Sequence, residues 1–320
     1  MSPRGLSPWV KGKVVKIIGA IVGDIVGSRF EFANHKSKDF EFFHPNCRVT
    51  DDSVMTLAIG DALRAYLANG GDLAAMAVEK MRYWGRRYGH VGYGPTFLQW
   101  LSVPNPVPYH SWGNGAAMRV SFCGWAAKTL KEAVWMAHEV TRVTHDHPEG
   151  LAGAEIVAAL VFLARRGIRK EQLRKYVEEH YRKIDFTLDE IQPNYSFDVS
   201  CQGSVPQAIA AFLESSGFVD AIRNAVSIGG DSDTIGAITG AIAEAYYGVS
   251  EEVRKEALQY LDAKQRKLLL ACEKELFQLH VSGANWESLD ADGSFVAYVD
   301  PEFALEMGLI PTLQDLLEEE

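Results

Sequence analysis

The stretch Ile228–Gly248, IGGDSDTIGAITGAIAEAYYG, decides how the rest of the chain is read. From Thr234 onward it is almost entirely apolar, so it reads as a helix that can be packed deep. Its head carries Asp231, Asp233 and Thr234. One carboxylate there is ordinary, because the first helical turn leaves N–H groups unpaired and its dipole favours negative charge. Two carboxylates and a hydroxyl exceed what a cap needs. Gly229 and Gly230 just before them allow a sharp backbone turn, and Ser232 reads as a spacer.

Helical periodicity also dominates the chain outside this stretch. DSVMTLAIGDALRAYLANG places Val54, Leu57, Ala58, Ala62 and Leu63 on one face and stops at Gly70-Gly71, a glycine C-cap signal. Similar patterns run through DLAAMAVEKMRYWGRR, TLKEAVWMAHEVTRV, LAGAEIVAALVFLARRG, KEQLRKYVEEHY, VPQAIAAFLESS, FVDAIRNAVSI and, as one long run, SEEVRKEALQYLDAKQRKLLLACEKELFQL. No run alternates for long like an exposed strand. The expected fold is all-α and single-domain, with irregular regions at about 91–115 and about 184–204. Residues 1–16 read as an N-terminal extension, 17–281 as the domain and 282–320 as a C-terminal segment packed on it.

Gly19, Gly23 and Gly27 recur every four residues, as do Gly236 and Gly240. Each glycine within a helix costs about 1 kcal/mol relative to alanine. Such stripes imply close approach of another helix or of a ligand, and a tight helix crossing accounts for them at least as well as a binding role.

The 320 residues are 47% hydrophobic and 23% charged, the balance of a soluble globule. A formal net charge of −10 argues against a nucleic-acid-coating surface or an anionic-membrane binder. Cys47, Cys123, Cys201 and Cys272 form no CxxC pair, so neither a disulfide framework nor a zinc knuckle is suggested and a reducing cytoplasm fits. Lys11, Lys13, Lys16 and Asp24 interrupt the apolar beginning, which therefore reads neither as a signal peptide nor as a membrane span.

VTDDS supplies a second acidic cluster, Thr50, Asp51 and Asp52, at the start of the 51–69 helix pattern. Taken singly, each cluster is accounted for by an N-cap followed by acids that favour the dipole. If the two helix starts meet, four carboxylates repel one another unless compensated. Four negative charges match two divalent cations, and carboxylate and hydroxyl oxygens suit Mg²⁺, Mn²⁺ or Ca²⁺ better than zinc. The expected ligands are Thr50, Asp51, Asp52, Asp231, Asp233 and Thr234.

Five segments in order, GAIVGDIVGSRFE, TDDS, SWGNGAAMR, THDHPEG and GGDSDTIGAITGAIAEAYYG, make the chain from about 17 to 250 resemble the ADP-ribosylglycohydrolase family. That resemblance implies an orthogonal helical bundle with a binuclear Mg²⁺ or Mn²⁺ centre, hydrolysing the glycosidic bond at the distal ribose of ADP-ribose. It places the metal ligands on the same six residues, with serine at Ser53 and Ser232 where the family more commonly has threonine. It offers Glu31, after the Gly-Asp-x-x-Gly turn, as catalytic acid/base, with Asp233 as its catalytic partner. A ribosidic bond breaks through an oxocarbenium-like state and needs an activated water, which a carboxylate near the sugar serves.

The resemblance further implies that Ser111, Gly113, Asn114 and Gly115 cradle the phosphates and distal ribose, with His145 nearby and Arg119 bracing the loop. A loop of this kind ahead of a helix can receive a diphosphate on its N–H groups. His145 and His147 have no cysteine or third histidine nearby, so a zinc site is set aside and His147 reads as exposed. The loops YGPTFLQW and CQGSVPQA are expected to frame adenosine, with Tyr93, Phe97, Trp100 and Trp112 as candidate walls. DADGS from Asp290 lacks the closing glutamate of a calcium loop and reads as a turn.

The expected activity is Mg²⁺-dependent release of ADP-ribose from a modified protein, arginine-linked first, by a cytoplasmic monomer. Serine-linked ADP-ribose, O-acetyl-ADP-ribose and ADP-ribosylated nucleobases stay open as substrates. The other readings are a catalytically silent ADP-ribose binder and a two-metal phosphohydrolase. Loss of a ligand or of Glu31 would mark the silent binder, and this chain retains the set; phosphate release would mark the phosphohydrolase.

Overall fold

The computed structural model describes residues 17–282, with side chains described through Glu275. The extension at 1–16, the DADGS turn and all but the first residue of the 282–320 segment lie outside the described residues. The elements are helices α1 (Gly19–Gly27), α2 (Asp51–Asn69), α3 (Leu73–Arg87), α4 (Pro95–Ser102), α5 (Ser121–Ala126), α6 (Leu130–Thr141) and α7 (Pro148–Arg165). They continue with α8 (Lys170–His180), α9 (Leu188–Ile191), α10 (Cys201–Leu213), α11 (Phe218–Ser227), α12 (Ser232–Tyr247), α13 (Glu251–Tyr260) and α14 (Ala263–Ser282). Among the described residues there is no strand, only an isolated bridge between Gly113 and Ser200. The fold is all-α, and no described helix is long and apolar enough to cross a membrane.

At the centre lies α12, buried from Ser232 to Ala245. The glycine stripes explain how α1 reaches it. A Cβ on Gly19 would stand 2.3 Å from the Gly240 carbonyl oxygen, one on Gly23 1.9 Å from that of Gly236, and one on Gly27 2.2 Å from that of Ser232. Residue numbers fall on one helix as they rise on the other, so the two are antiparallel and touch backbone to backbone. Of the two accounts the stripes allowed, the helix crossing is therefore the one realised. The crossing also sets the end of α1 beside the start of α12. At the opposite end, buried Glu244 accepts from the Ile18 and Gly19 N–H groups (2.9 and 2.7 Å), capping α1 from within α12.

Several boundaries differ from the sequence expectation. The Gly23–Gly27 segment is helical throughout rather than a turn. CQGSVPQA is not a loop but the start of α10, whose N-cap Ser200 accepts from Gly203 N–H at 3.0 Å. The region from 91 to 115 contains α4, started by Pro95, and the beginning of a 3₁₀ turn at Asn114–Ala116. The long run after Ser250 breaks at Leu261-Asp262. There the Asp262 carboxylate accepts from Lys264 and Gln265 N–H (2.8 and 2.9 Å), and Gln265 Oε1 accepts from Asp262 N–H (2.9 Å), a reciprocal cap that starts a new helix.

Candidate active site

The antiparallel α1–α12 contact brings Asp24 on α1, Glu31 four residues beyond its end, and Asp231 and Asp233 at the head of α12 into one neighbourhood. The start of α2 completes it. Thr234 Oγ1 donates to Asp52 Oδ2 at 3.3 Å, tying together helix starts 182 positions apart. Carboxylate oxygens of Asp24, Asp52 and Asp233 lie within 4.8 Å of one another, and so do those of Glu31, Asp231 and Asp233. Asp233 belongs to both groups. No histidine enters either, and His147 is not simply exposed: it is the half-buried N-cap of α7, accepting from Glu149 N–H at 3.1 Å.

Asp24, not among the expected ligands, organises the start of α2. Fully buried, it accepts from Thr50 N–H (3.0 Å), Thr50 Oγ1 (2.7 Å), Ser53 N–H (3.1 Å) and Ser53 Oγ. Thr50 is the N-cap of α2, its hydroxyl 3.2 Å from Asp52 Oδ2. Asp51 stands outside both carboxylate groups and lines the same cleft. The signal for Asp24 is an aspartate inside an apolar, glycine-striped helix, which the sequence alone shows only as a break in hydrophobicity.

Burial is the first cause of raised pKa throughout the cluster. It pushes Asp24, Asp52, Asp231 and Asp233 above the usual carboxylate range, with repulsion from neighbouring carboxylates adding to the shift at Asp52 and Asp233. Glu31 is pushed up to about 7 by burial and then by the Asp231 charge, with Arg48 opposing at 3.5 Å. Asp51 rises to about 7 through burial and the Asp24 charge. Asp52 Oδ1 is buried with no hydrogen-bond partner. Such convergence of hard oxygen donors, with one orphaned, fits divalent cations of the Mg²⁺ or Mn²⁺ type.

Glu31, Asp51, Asp52, Asp231, Asp233 and Thr234 line a cleft of about 690 Å³, with Asp24 and Thr50 buried behind them. Its wall includes the Ser111–Gly115 loop, His145 and Trp112. Asn114 connects loop to cluster: its Nδ2 donates to Asp231 Oδ2 (2.7 Å) and to Ser204 Oγ (3.0 Å). The loop's own N–H groups at Gly113 and Asn114 are donated to Ser111 Oγ (3.1 Å) and the Val199 carbonyl (2.7 Å). Tyr93 and Phe97 line the cleft, and so does Trp112, which is 51% exposed. Trp100 does not line it. It is buried and stacked on Phe97 at 5.4 Å, a core residue rather than a wall, because the α4 helix turns it inward.

Two further residues escaped sequence reading. Asn34 Oδ1 accepts from Gly230 N–H at 2.8 Å, and Lys36 Nζ donates to the Tyr195 carbonyl at 2.5 Å and to the Ile228 carbonyl. Gly229 and Gly230, at φ 72° and 79°, make the left-handed turn that presents Asp231. The loop that carries Glu31 is thereby pinned to that turn.

The architecture is all-α, with an acid-lined cleft at the meeting of three helix termini. The ADP-ribosylglycohydrolase sequence profile matches residues 15–285. The chain belongs to the ADP-ribosylglycohydrolase family and is an enzyme of that family. It is 27% identical to the mouse ADP-ribosylhydrolase ARH3, over 73% of this chain and 83% of that protein. It is 26% identical to the ADP-ribosyl-[dinitrogen reductase] glycohydrolase of Rhodospirillum rubrum, over 77% and 89%. To the ADP-ribosylarginine hydrolase Tri1 of Pseudomonas putida it is 26% identical, over 73% and 70%. A solved structure of an ADP-ribosylglycohydrolase-related protein complex superposes with a TM-score of 0.63 at 22% identity, covering 83% of this chain and 96% of that one, a likeness of fold.

Proposed function

We propose that the protein is a divalent-cation-dependent hydrolase that cleaves the bond between ADP-ribose and an arginine side chain and releases ADP-ribose. The observation that carries this reading is the pair of carboxylate groups sharing Asp233, one of which contains Glu31, at a cleft also lined by the Ser111–Gly115 loop. Two groups with a common member suit two neighbouring cations. Thr50, Asp51, Asp52, Asp231, Asp233 and Thr234 are the proposed ligands, with Asp24 holding Thr50 and Ser53 and so the first turn of α2 that carries Asp51 and Asp52. When bound, Mg²⁺ or Mn²⁺ supplies Lewis acidity toward the ribose hydroxyls and a bound water.

The chain's own residues then do the following. The Ser111–Gly115 loop and His145 hold the diphosphate end of ADP-ribose, and Trp112, Tyr93 and Phe97 offer apolar surface for adenine. Glu31 faces the distal ribose and takes the proton of the attacking water as the glycosidic bond lengthens. An ADP-ribosylated guanidinium already carries its proton and leaves as the neutral guanidine with little acid assistance, whereas a serine oxygen needs a proton donor to leave. Two relatives carry the name ADP-ribosylarginine hydrolase, which supports the same linkage.

The test incubates arginine- and serine-ADP-ribosylated peptides with the protein in Mg²⁺ or in EDTA and follows free ADP-ribose by mass spectrometry. Mg²⁺-dependent release from the arginine peptide is expected. Release from the serine peptide alone overturns the linkage, and release from neither overturns the hydrolase reading for both. Phosphate release instead would reassign the site to phosphoester hydrolysis.

A further inference from the structure

We propose that Arg119 and Thr144 are positioning residues that set the tautomer of His145, so that its Nε2 carries the proton and donates to an anionic oxygen of the bound diphosphate. The diphosphate rests on the ADP-ribose reading above; the tautomer does not.

The argument is an inventory of protons. Arg119 is 1% exposed, and its Nη2 donates to Thr144 Oγ1 at 2.7 Å. A guanidinium has donors and no acceptor, so Thr144 Oγ1 is the acceptor in that contact. The hydroxyl keeps one proton to give. Thr144 is fully buried, and the groups within reach of its hydroxyl are His145 Nδ1 at 2.7 Å and the Thr141 carbonyl at 3.3 Å. The shorter contact takes the proton, because 2.7 Å is the ordinary length of an O–H hydrogen bond and 3.3 Å lies beyond it. His145 Nδ1 therefore accepts, and in a neutral imidazole the proton must then sit on Nε2.

Electrostatics points the same way. Burial, and then the Arg119 charge, hold the His145 pKa well below its usual value, so the ring is neutral. With the lone pair of Nδ1 toward the guanidinium, the imidazole dipole is favourably aligned; the opposite tautomer would turn an N–H toward that charge. Donation from Arg119 also polarises the Thr144 hydroxyl and makes it a better donor.

The Nε2 end faces the cradle. A Cβ on Gly113 would lie 3.5 Å from Nε2 and one on Gly115 3.4 Å, and His145 lines the cleft. The Gly113 and Asn114 N–H groups are already donated within the protein, so the ring N–H adds a donor that those two amides do not supply. Phosphate oxygens only accept, so a bare Nε2 lone pair would repel them. Glycine at both positions keeps the loop clear of the ring.

The experiment is ¹⁵N NMR of the imidazole nitrogens in the full chain, with His145 assigned from a His145→Gln spectrum, alongside calorimetric titration with ADP-ribose. Wild type should show a protonated Nε2 and an unprotonated Nδ1. Thr144→Val should lose that bias and weaken ADP-ribose binding by about 10–100-fold, the worth of one hydrogen bond to a charged group. Thr144→Ser should retain both. A protonated Nδ1 in wild type overturns the inference. So does Thr144→Val with unaltered binding per folded molecule, whatever its Tm. If wild type fails to bind ADP-ribose, the ADP-ribose reading falls and the diphosphate role with it, while the ¹⁵N pattern still decides the tautomer.

Discussion

Asp24 shows how much can hang on one buried carboxylate. It gathers donors from Thr50 and Ser53, fixes the first turn of α2, and lies within reach of Asp52 and Asp233. Asp24→Asn replaces one acceptor oxygen by a donor facing those groups. It should lower Mg²⁺ affinity and turnover by about 10–100-fold, read by Mg²⁺ titration of the reaction rate. Glu31→Gln addresses a different atom: turnover should fall by about 10²–10⁴-fold while ADP-ribose binding by calorimetry persists, and wild-type rates would remove Glu31 from the chemistry. Glu31 was visible because five motifs came in order. Asp24, Asn34 and Lys36 were not, because each acts through partners distant in sequence: Thr50 and Ser53 for Asp24, Gly230 for Asn34, and Tyr195 and Ile228 for Lys36.

The α1–α12 crossing is the element on which the site depends. At Gly23 an added Cβ would enter the Gly236 carbonyl group, and neither backbone can yield without parting the helices. Gly23→Ala should cost about 3 kcal/mol or more in urea unfolding. Gly217→Ala, in open space with extended backbone at φ −177°, should cost no more than about 1 kcal/mol, the difference between glycine and alanine at the N-cap of α11, and serves as the comparison. Helix existence was legible from period 3.6. Breaks were less so: the Asp262–Gln265 capping box was present in DAKQ, yet the apolar pattern ran through it and concealed the boundary between α13 and α14.

Two properties belong to the whole molecule. Its carboxylate cluster repels itself, so a cation that binds the folded state alone should stabilise it. Mg²⁺ at about 100 times its Kd should add about 2.7 kcal/mol, seen as a Tm rise of several degrees. Asp233→Asn, which removes the member common to both groups, should abolish that rise. Glu244, at the other end of α12, gives stability a pH dependence. Burial raises its folded pKa from 4.5 to about 8. A raised carboxyl pKa means the folded state holds the proton more tightly, so the contribution is complete below about pH 4.5 and is lost as pH rises through about 8. Glu244→Gln should flatten the stability-versus-pH curve between those limits by up to about 1.4 kcal/mol per pH unit, measured by urea midpoints across the range.

By itself the sequence determined the all-α class, the helices with long periodic faces, the two acidic helix starts and the family motifs, because periodicity, caps and motif order are local properties of a chain. Whether the glycine stripes met a helix or a ligand was decided only in three dimensions. So was the choice of Asp24 as the organiser of α2, of Trp100 as core and Trp112 as wall, and of Thr144 as the link between Arg119 and His145. Those outcomes depend on which buried atoms meet across gaps such as the 26 positions from Asp24 to Thr50 or the 182 from Asp52 to Thr234. A buried polar atom must find a partner wherever the packing of the whole chain brings one.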